Sequence, residues 1–202
     1  MQILVACEYS GTVREAFRKK GYDAWSCDLL DSDIPSEYHI KGDVSKILHE
    51  CKKLLVAHPP CTYMCNSGVT WLQRNEVRWD ELQKANEFFH KLYNADIPRI
   101  AIENPIPHRY ALLPKYSQII QPYNFGHAEM KATCLWLKNL PLLQSTTDLY
   151  DEMKSLPKSQ AQRIHYTSPG KDRWKIRSKT FDGIAEAMAA QWGSLTKELL
   201  VC

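Results

Sequence analysis

Short, unbroken apolar runs recur along the chain: Ile3 to Cys7 (ILVAC), "YDAWSCD" closing on Asp28, "KLLVAH" ahead of Pro59, and "RIAIENP" stopped by Pro105. Runs of this length, bounded by turn residues, mark strands buried on both faces of a parallel sheet. "HIKGDV" predicts a further short strand, followed by a helix at about 44–52. Between the first two runs the period changes. Thr12 with Glu15 has capping-box spacing, Val13, Ala16 and Phe17 share one face, and Gly21 follows a basic end, which together predict a helix. From about Arg74 to Ala95 the residues Val77, Leu82, Ala85, Phe88, Phe89 and Leu92 recur at helical spacing and predict the longest helix. "SQIIQP" and "KATCLWL", separated by an "FGH" turn, predict an antiparallel pair at one sheet edge, and "FDGIAEAMAAQW" predicts a final helix packed on the sheet. Ser155 to Lys179, dominated by Pro, Ser, Lys and Arg, predicts a long loop that orders on binding. Strands alternating with helices give an α/β class: a doubly wound, mostly parallel sheet with an antiparallel edge pair, in a single domain over 1–202.

At 202 residues, 44% hydrophobic and 24% charged, the chain can bury a core, which excludes fibrous and disordered classes. A formal charge of +3 permits a polyanionic partner, and its distribution is more informative. From Asp151 to Thr180 eight basic residues stand against three acidic ones, a local surplus of five that leaves the rest of the chain at −2. The seven cysteines are odd in number and scattered through apolar runs, the usage of free thiols in a reducing compartment. With no basic leader and no apolar stretch near the length of a membrane span, the expectation is a soluble, cytoplasmic protein without membrane association.

In a doubly wound sheet the strand ends "CEYSG", "CD", "GD", "HPPC" and "ENP" open on one rim, where such folds bind ligands. Pro59 and Pro60 stop their strand and hold Cys61 on a stiff corner, as a nucleophile, a metal ligand or filling. His58, Cys61 and Cys65 lack paired zinc spacing, so no metal is assigned. Cys7, Cys27 and Cys134 also read as small buried hydrophobes, Asp28 and Asp43 as turn or cap residues, and Trp71 and Trp136 as core.

The order and spacing of these motifs resemble the cytosine-C5 methyltransferases that modify DNA, in a reduced form without a full target-recognition domain. The resemblance runs from about Ile3 to Leu137 and again from Arg177 to Trp192. "ACEYSG" stands where that family has its Phe-x-Gly-x-Gly loop, "PPC" where it has its nucleophile, "ENP" where it has Glu-Asn-Val, and "FGHAEMKAT" where it has Gln-x-Arg-x-Arg. It implies a Rossmann-like methyltransferase sheet and S-adenosylmethionine as cofactor. Cys61 would add to C6 of cytosine, Glu103 would hydrogen-bond or protonate N3, and Asn104 would fix the loop. After methyl transfer, loss of the C5 proton and β-elimination would free the enzyme. Cys7, Glu8, Tyr9, Ser10, Gly11 and Pro59 would meet the cofactor, Asp28 its ribose and Asp43 its adenine amino group.

Departures from the family concern the substrate. One glycine, Gly11, stands where three are usual, and Glu129, Lys131 and Thr133 replace Gln, Arg and Arg, leaving Lys131 and Thr133 as base contacts. Only about forty residues separate that segment from the last motif, against a long recognition domain in enzymes acting on duplex DNA. The partner expected is therefore DNA as a single strand or flipped cytosine, with Arg163, Lys171, Arg173 and Arg177 of the basic loop at about 151–180 on phosphates and Trp174 stacked on a base. Two alternatives stay open: C5 modification of a free pyrimidine nucleotide, or with another donor, and a catalytically decayed relative that binds nucleic acid or protein. The oligomeric state is open, homodimer included, and so small a solitary methylase-like chain suits a phage or mobile element.

Overall fold

A computed structural model describes residues 1–196, with Ser67, Gly68 and Gln73 described in backbone only. Seven strands, β1 (Ile3–Ala6), β2 (Ala24–Asp28), β3 (His39–Lys41), β4 (Leu54–Ala57), β5 (Arg99–Pro105), β6 (Gln118–Ile120) and β7 (Thr133–Lys138), form one sheet in the order β3-β2-β1-β4-β5-β7-β6. The first five are mutually parallel, and β7 runs antiparallel to both β5 and β6. This is a doubly wound, mostly parallel, Rossmann-like arrangement with an antiparallel edge pair. The strand order reverses between β1 and β4, the switch point where such sheets open a crevice at the carboxyl ends of the strands.

Alternation along the strands builds two cores. Ile3, Val5, Leu54, Val56 and Ala101 face the layer of α1 (Thr12–Lys19) and the late helix Asp182–Gly193, while Leu4, Ala6, Leu55, Ala57, Ile100 and Ile102 face that of the long helix α2 (Val77–Tyr93). Removing the apolar side chains of both faces from water is the main stabilising term. The register sets the strand tips level, with Ala6 beside Ala57 and Ala57 beside Ile102. The next residues, Cys7, His58 and Glu103, therefore arrive together at the crevice.

Several predicted elements take other forms. The helix expected at 44–52 is two short 3₁₀ turns, Val44–Lys46 and Leu48–Glu50. The expected capping box at Thr12 is absent: Gly11 is the N-cap at φ 75, and the Glu8 carboxylate accepts from the backbone N–H of Val13 (2.5 Å) and Arg14 (3.2 Å) instead. A buried carboxylate answers those two orphan donors better than a hydroxyl. A 3₁₀ segment, Asn66–Arg74, precedes α2 and brings Trp71 to the surface, half exposed, whereas Trp136 is buried. The basic segment contains the helices α3 (Tyr150–Ser155), α4 (Lys158–Ala161) and α5 (Arg173–Ser178) rather than one long loop, because its Lys, Arg and Gln are helix formers that outweigh the Pro and Ser between them. The last helix, α6 (Asp182–Gly193), packs on α1 and buries Trp192. No helix among the described residues is long and apolar enough to cross a membrane.

Candidate active site

A cavity of about 110 Å³ lies at the switch point, lined by the turn Cys7–Ser10 after β1, by His58–Cys61 after β4, by Glu103 and Pro105 of β5, by Lys131, and by the stretch Arg177–Thr180. Asn104 is buried beside it and donates from Nδ2 to the Pro59 carbonyl at 3.2 Å, tying the Pro-Pro corner to β5. Cys61 and Glu103 thus share one cavity, each on a corner held by proline and sheet.

The electrostatics of the cavity come from four elements. Glu103 Oε2 lies 2.7 Å from His58 Nδ1, and both side chains are nine-tenths buried. Burial pushes Glu103 up, but the His58 hydrogen bond and the charges of Lys131 and His58 outweigh it and hold the carboxyl below its ordinary range. Burial pushes His58 down, but the hydrogen bond and charge of Glu103, with the charge of Glu8, lift it above the ordinary imidazole range. Both shifts favour the imidazolium–carboxylate form of the pair. His58 Nε2 is enclosed without a hydrogen-bond partner.

Cys61 opens a single turn in which Met64 and Cys65 donate their N–H groups to its carbonyl, both at 3.0 Å. That i, i+4 spacing brings the Cys65 thiol into hydrogen bonding with Cys61. This hydrogen bond, burial, and the charges of Cys65 and Glu103 all push the Cys61 thiol strongly up, opposed by Lys131. Cys61 rests as a thiol, and a base is needed to ionise it.

The other sequence-predicted residues divide into groups. Cys7, Glu8, Tyr9, Ser10 and Pro59 line the cavity; Gly11 does not, and its role is local, since a Cβ there would sit 2.6 Å from Arg14 Nη2 on a backbone at φ 75. Asp28 is half-buried at the tip of β2, where Oδ1 accepts from Leu30 N–H at 2.9 Å, and Asp43 is exposed and caps Val44–Lys46. Neither lines the cavity, although both lie near enough to Cys7 to push its thiol up beyond the effect of burial. Lys131 lines the cavity and donates from Nζ to the Lys179 carbonyl at 3.1 Å. Thr133 is buried in β7 with its hydroxyl on the Lys131 carbonyl at 3.1 Å, and Arg163 is spent on Glu129 at 2.7 Å. Lys171 is exposed, Arg173 Nη2 reaches the His165 carbonyl at 3.4 Å, and Arg177 lines the cavity.

Lys179 and Asp33, which no motif marked, complete the site, and Tyr9 takes a role beyond the cofactor contact expected of it. Tyr9 holds α5 against the turn after β1: its hydroxyl donates to the Lys175 carbonyl at 2.7 Å, and its ring packs 5.7 Å from Trp174. Lys179 pairs with Asp33 at 2.7 Å, a second latch on the same wall. His58 was visible in sequence as the residue before the proline pair, but only the register of β4 on β5 puts it against Glu103. Among the described residues no group of three or more His, Cys, Asp or Glu could hold a metal ion.

No family model matches the chain, and neither does any curated protein sequence. Among solved structures it is similar to one from E. coli described as a "putative DNA modification methyltransferase encoded within prophage", at a TM-score of 0.46 and 13% identity over 78% of this chain. The chain spans 56% of that structure's length.

Proposed function

We propose that the chain is a methyltransferase that adds a methyl group from S-adenosylmethionine to cytosine C5 in DNA, through a covalent bond from Cys61 to C6. The observation that carries this reading is the meeting of Cys61 and Glu103 from neighbouring strand tips in one cavity, with Lys131 beside them. A thiol and a carboxylate so placed match the chemistry of an inert pyrimidine: sulfur adds at C6, C5 becomes nucleophilic, and the charge that spreads to N3 is met by Glu103. Lys131, in place of the family's guanidinium, offers a point charge to the base carbonyl.

The residues on the rim fit the cofactor. Asp28 lies at the tip of β2 with exposed Leu29, Leu30 and Ile34 after it, so a carboxylate for ribose hydroxyls and an apolar face for adenine adjoin. Asp28 and Asp43 would give that end of the crevice negative charge suited to a sulfonium. When bound, S-adenosylmethionine supplies an electrophilic methyl group. Cys61, Glu103 and Lys131 hold and polarise the base, and the Tyr9-held wall keeps water out. A cavity of about 110 Å³ lies below the roughly 300–1,000 Å³ of pockets that enclose a drug-sized ligand, so this reading requires the wall at Arg177–Thr180 to give way when base and cofactor bind together. Arg177 in that wall, with Lys171, Arg173 and Trp174 next to it, would then meet a phosphate backbone and a base.

The test is a single-stranded oligonucleotide containing 5-fluorocytosine, incubated with S-adenosylmethionine and analysed by intact mass. The wild type is expected to form a covalent adduct carrying the methyl group, and Cys61→Ser none. A wild type that forms no adduct with the oligonucleotide but reacts with 5-fluoro-dCMP would move the reading to a free nucleotide. Failure with both would leave a non-catalytic protein.

A further inference from the structure

We infer that His58 is a catalytic partner of Glu103: the two form a buried pair that takes the proton from the Cys61 thiol and delivers it to N3 of the pyrimidine. This rests on the reading proposed above and adds to it the origin and destination of the proton.

Three observations converge on His58. Its Nδ1 lies 2.7 Å from Glu103 Oε2 while both side chains are nine-tenths buried, so the pair is shielded from bulk water as a proton source. Its Nε2 is enclosed and unpartnered although the ring lines the cavity, an unsatisfied donor that packing alone does not explain. Cys61 lines the same cavity as a thiol rather than a thiolate. The charged groups acting on His58 are Glu103 from β5, Glu8 from the turn after β1 and Lys131 ahead of β7, and Cys7, Tyr9, Cys61, Arg177 and Lys179 line the same cavity. The Glu103 carboxyl on Nδ1, with the charge of Glu8 adding to it and that of Lys131 opposing, makes surroundings that favour a protonated imidazole.

The step balances without an outside reagent. The S–H bond of Cys61 breaks as sulfur adds, and its proton passes to the Glu103 carboxylate, the unprotonated member of the pair, while His58 stays an imidazolium. The sulfur lone pair forms the S–C6 bond, the C5=C6 pair shifts to C4=C5, and the C4=N3 pair takes a proton from Glu103–His58 at N3. The pair ends the step in the state in which it began, and the pyrimidine is left as a neutral enamine, nucleophilic at C5. Without His58 the Glu103 carboxylate would stand beside the lone pair of N3 with no positive charge to neutralise it.

Addition at C6 is read directly as exchange of the cytosine C5 hydrogen for deuterium in D₂O, measured by nucleoside mass spectrometry on a single-stranded oligonucleotide without cofactor. His58→Asn keeps a donor where Nδ1 stands and removes the titrating ring. It is expected to exchange about 100-fold more slowly than wild type and to lose the alkaline fall of the rate, within the range of general acid–base effects. His58→Asn exchanging at the wild-type rate with the same alkaline fall would overturn the role of His58 and leave the proposed function standing. Absence of exchange in the wild type would overturn the function and this inference together. Should the variant not fold, ¹⁵N NMR of the wild-type rings decides: a buried histidine protonated on both nitrogens at pH 7 supports the pair, and only neutral buried rings overturn it.

Discussion

Cys7 leaves β1 at φ 58, a left-handed conformation that costs an L side chain about 1–2 kcal/mol. The sheet imposes it: the Cys7 N–H still bonds to the Cys27 carbonyl at 2.8 Å while the chain must turn to bring Glu8 under α1. A β-branched side chain tolerates this region worst. Cys7→Val is expected to lower unfolding stability by about 1–3 kcal/mol, while Cys7→Gly stays within about 1 kcal/mol of wild type because relief of strain offsets its greater chain entropy. Urea unfolding of the two variants checks this, and equal midpoints would mean the turn is not strained. At this scale the sequence was legible where chemistry and backbone restraint coincide, as at Pro59-Pro60-Cys61. It was opaque where a side chain's partner lies on another strand: nothing within "HPPC" says that His58 meets Glu103, or that Glu8 serves as a helix cap.

Among elements, the alternation of strand and helix was readable because each buried strand is a short apolar run and each long helix has an apolar stripe. The basic segment was not, since α5 has no buried residue and hence no hydrophobic period to reveal it. What holds α5 is the aromatic and hydroxyl contact with Tyr9, together with the Lys179–Asp33 pair, which at the surface contributes little by itself. Trp174→Ala removes the ring packed on Tyr9 and should loosen residues 171–180, a stretch rich in Lys and Arg. Limited trypsin digestion is expected to cut there several-fold faster in Trp174→Ala than in wild type, with the sheet intact. An unchanged cleavage rate would show that the wall over the cavity is held by something other than the Tyr9 contact.

For the molecule as a whole, the buried Glu103–His58 pair ties stability to pH in a direction the composition does not disclose. The carboxyl of Glu103 lies below its unfolded value of 4.5, so its contribution is present above pH 4.5 and is lost as pH falls through the lower folded value. The imidazole of His58 lies above its unfolded value of 6.5, so its contribution is whole below pH 6.5 and is lost as pH rises through the higher folded value. The pair therefore stabilises most between about pH 4.5 and 6.5. Glu8, raised chiefly by burial, adds stability that is present below pH 4.5 and is lost as pH rises through its higher folded value. Replacing Glu103 by Gln leaves an unpaired buried imidazolium, a defect of about 3–5 kcal/mol where both partners are charged. The gap in thermal midpoint between wild type and Glu103→Gln is thus expected to be widest inside that window and to narrow toward pH 3 and pH 9. Calorimetry across that range separates this from simple packing loss, because a gap that stayed constant with pH would mean the two side chains do not share a charge in the folded protein.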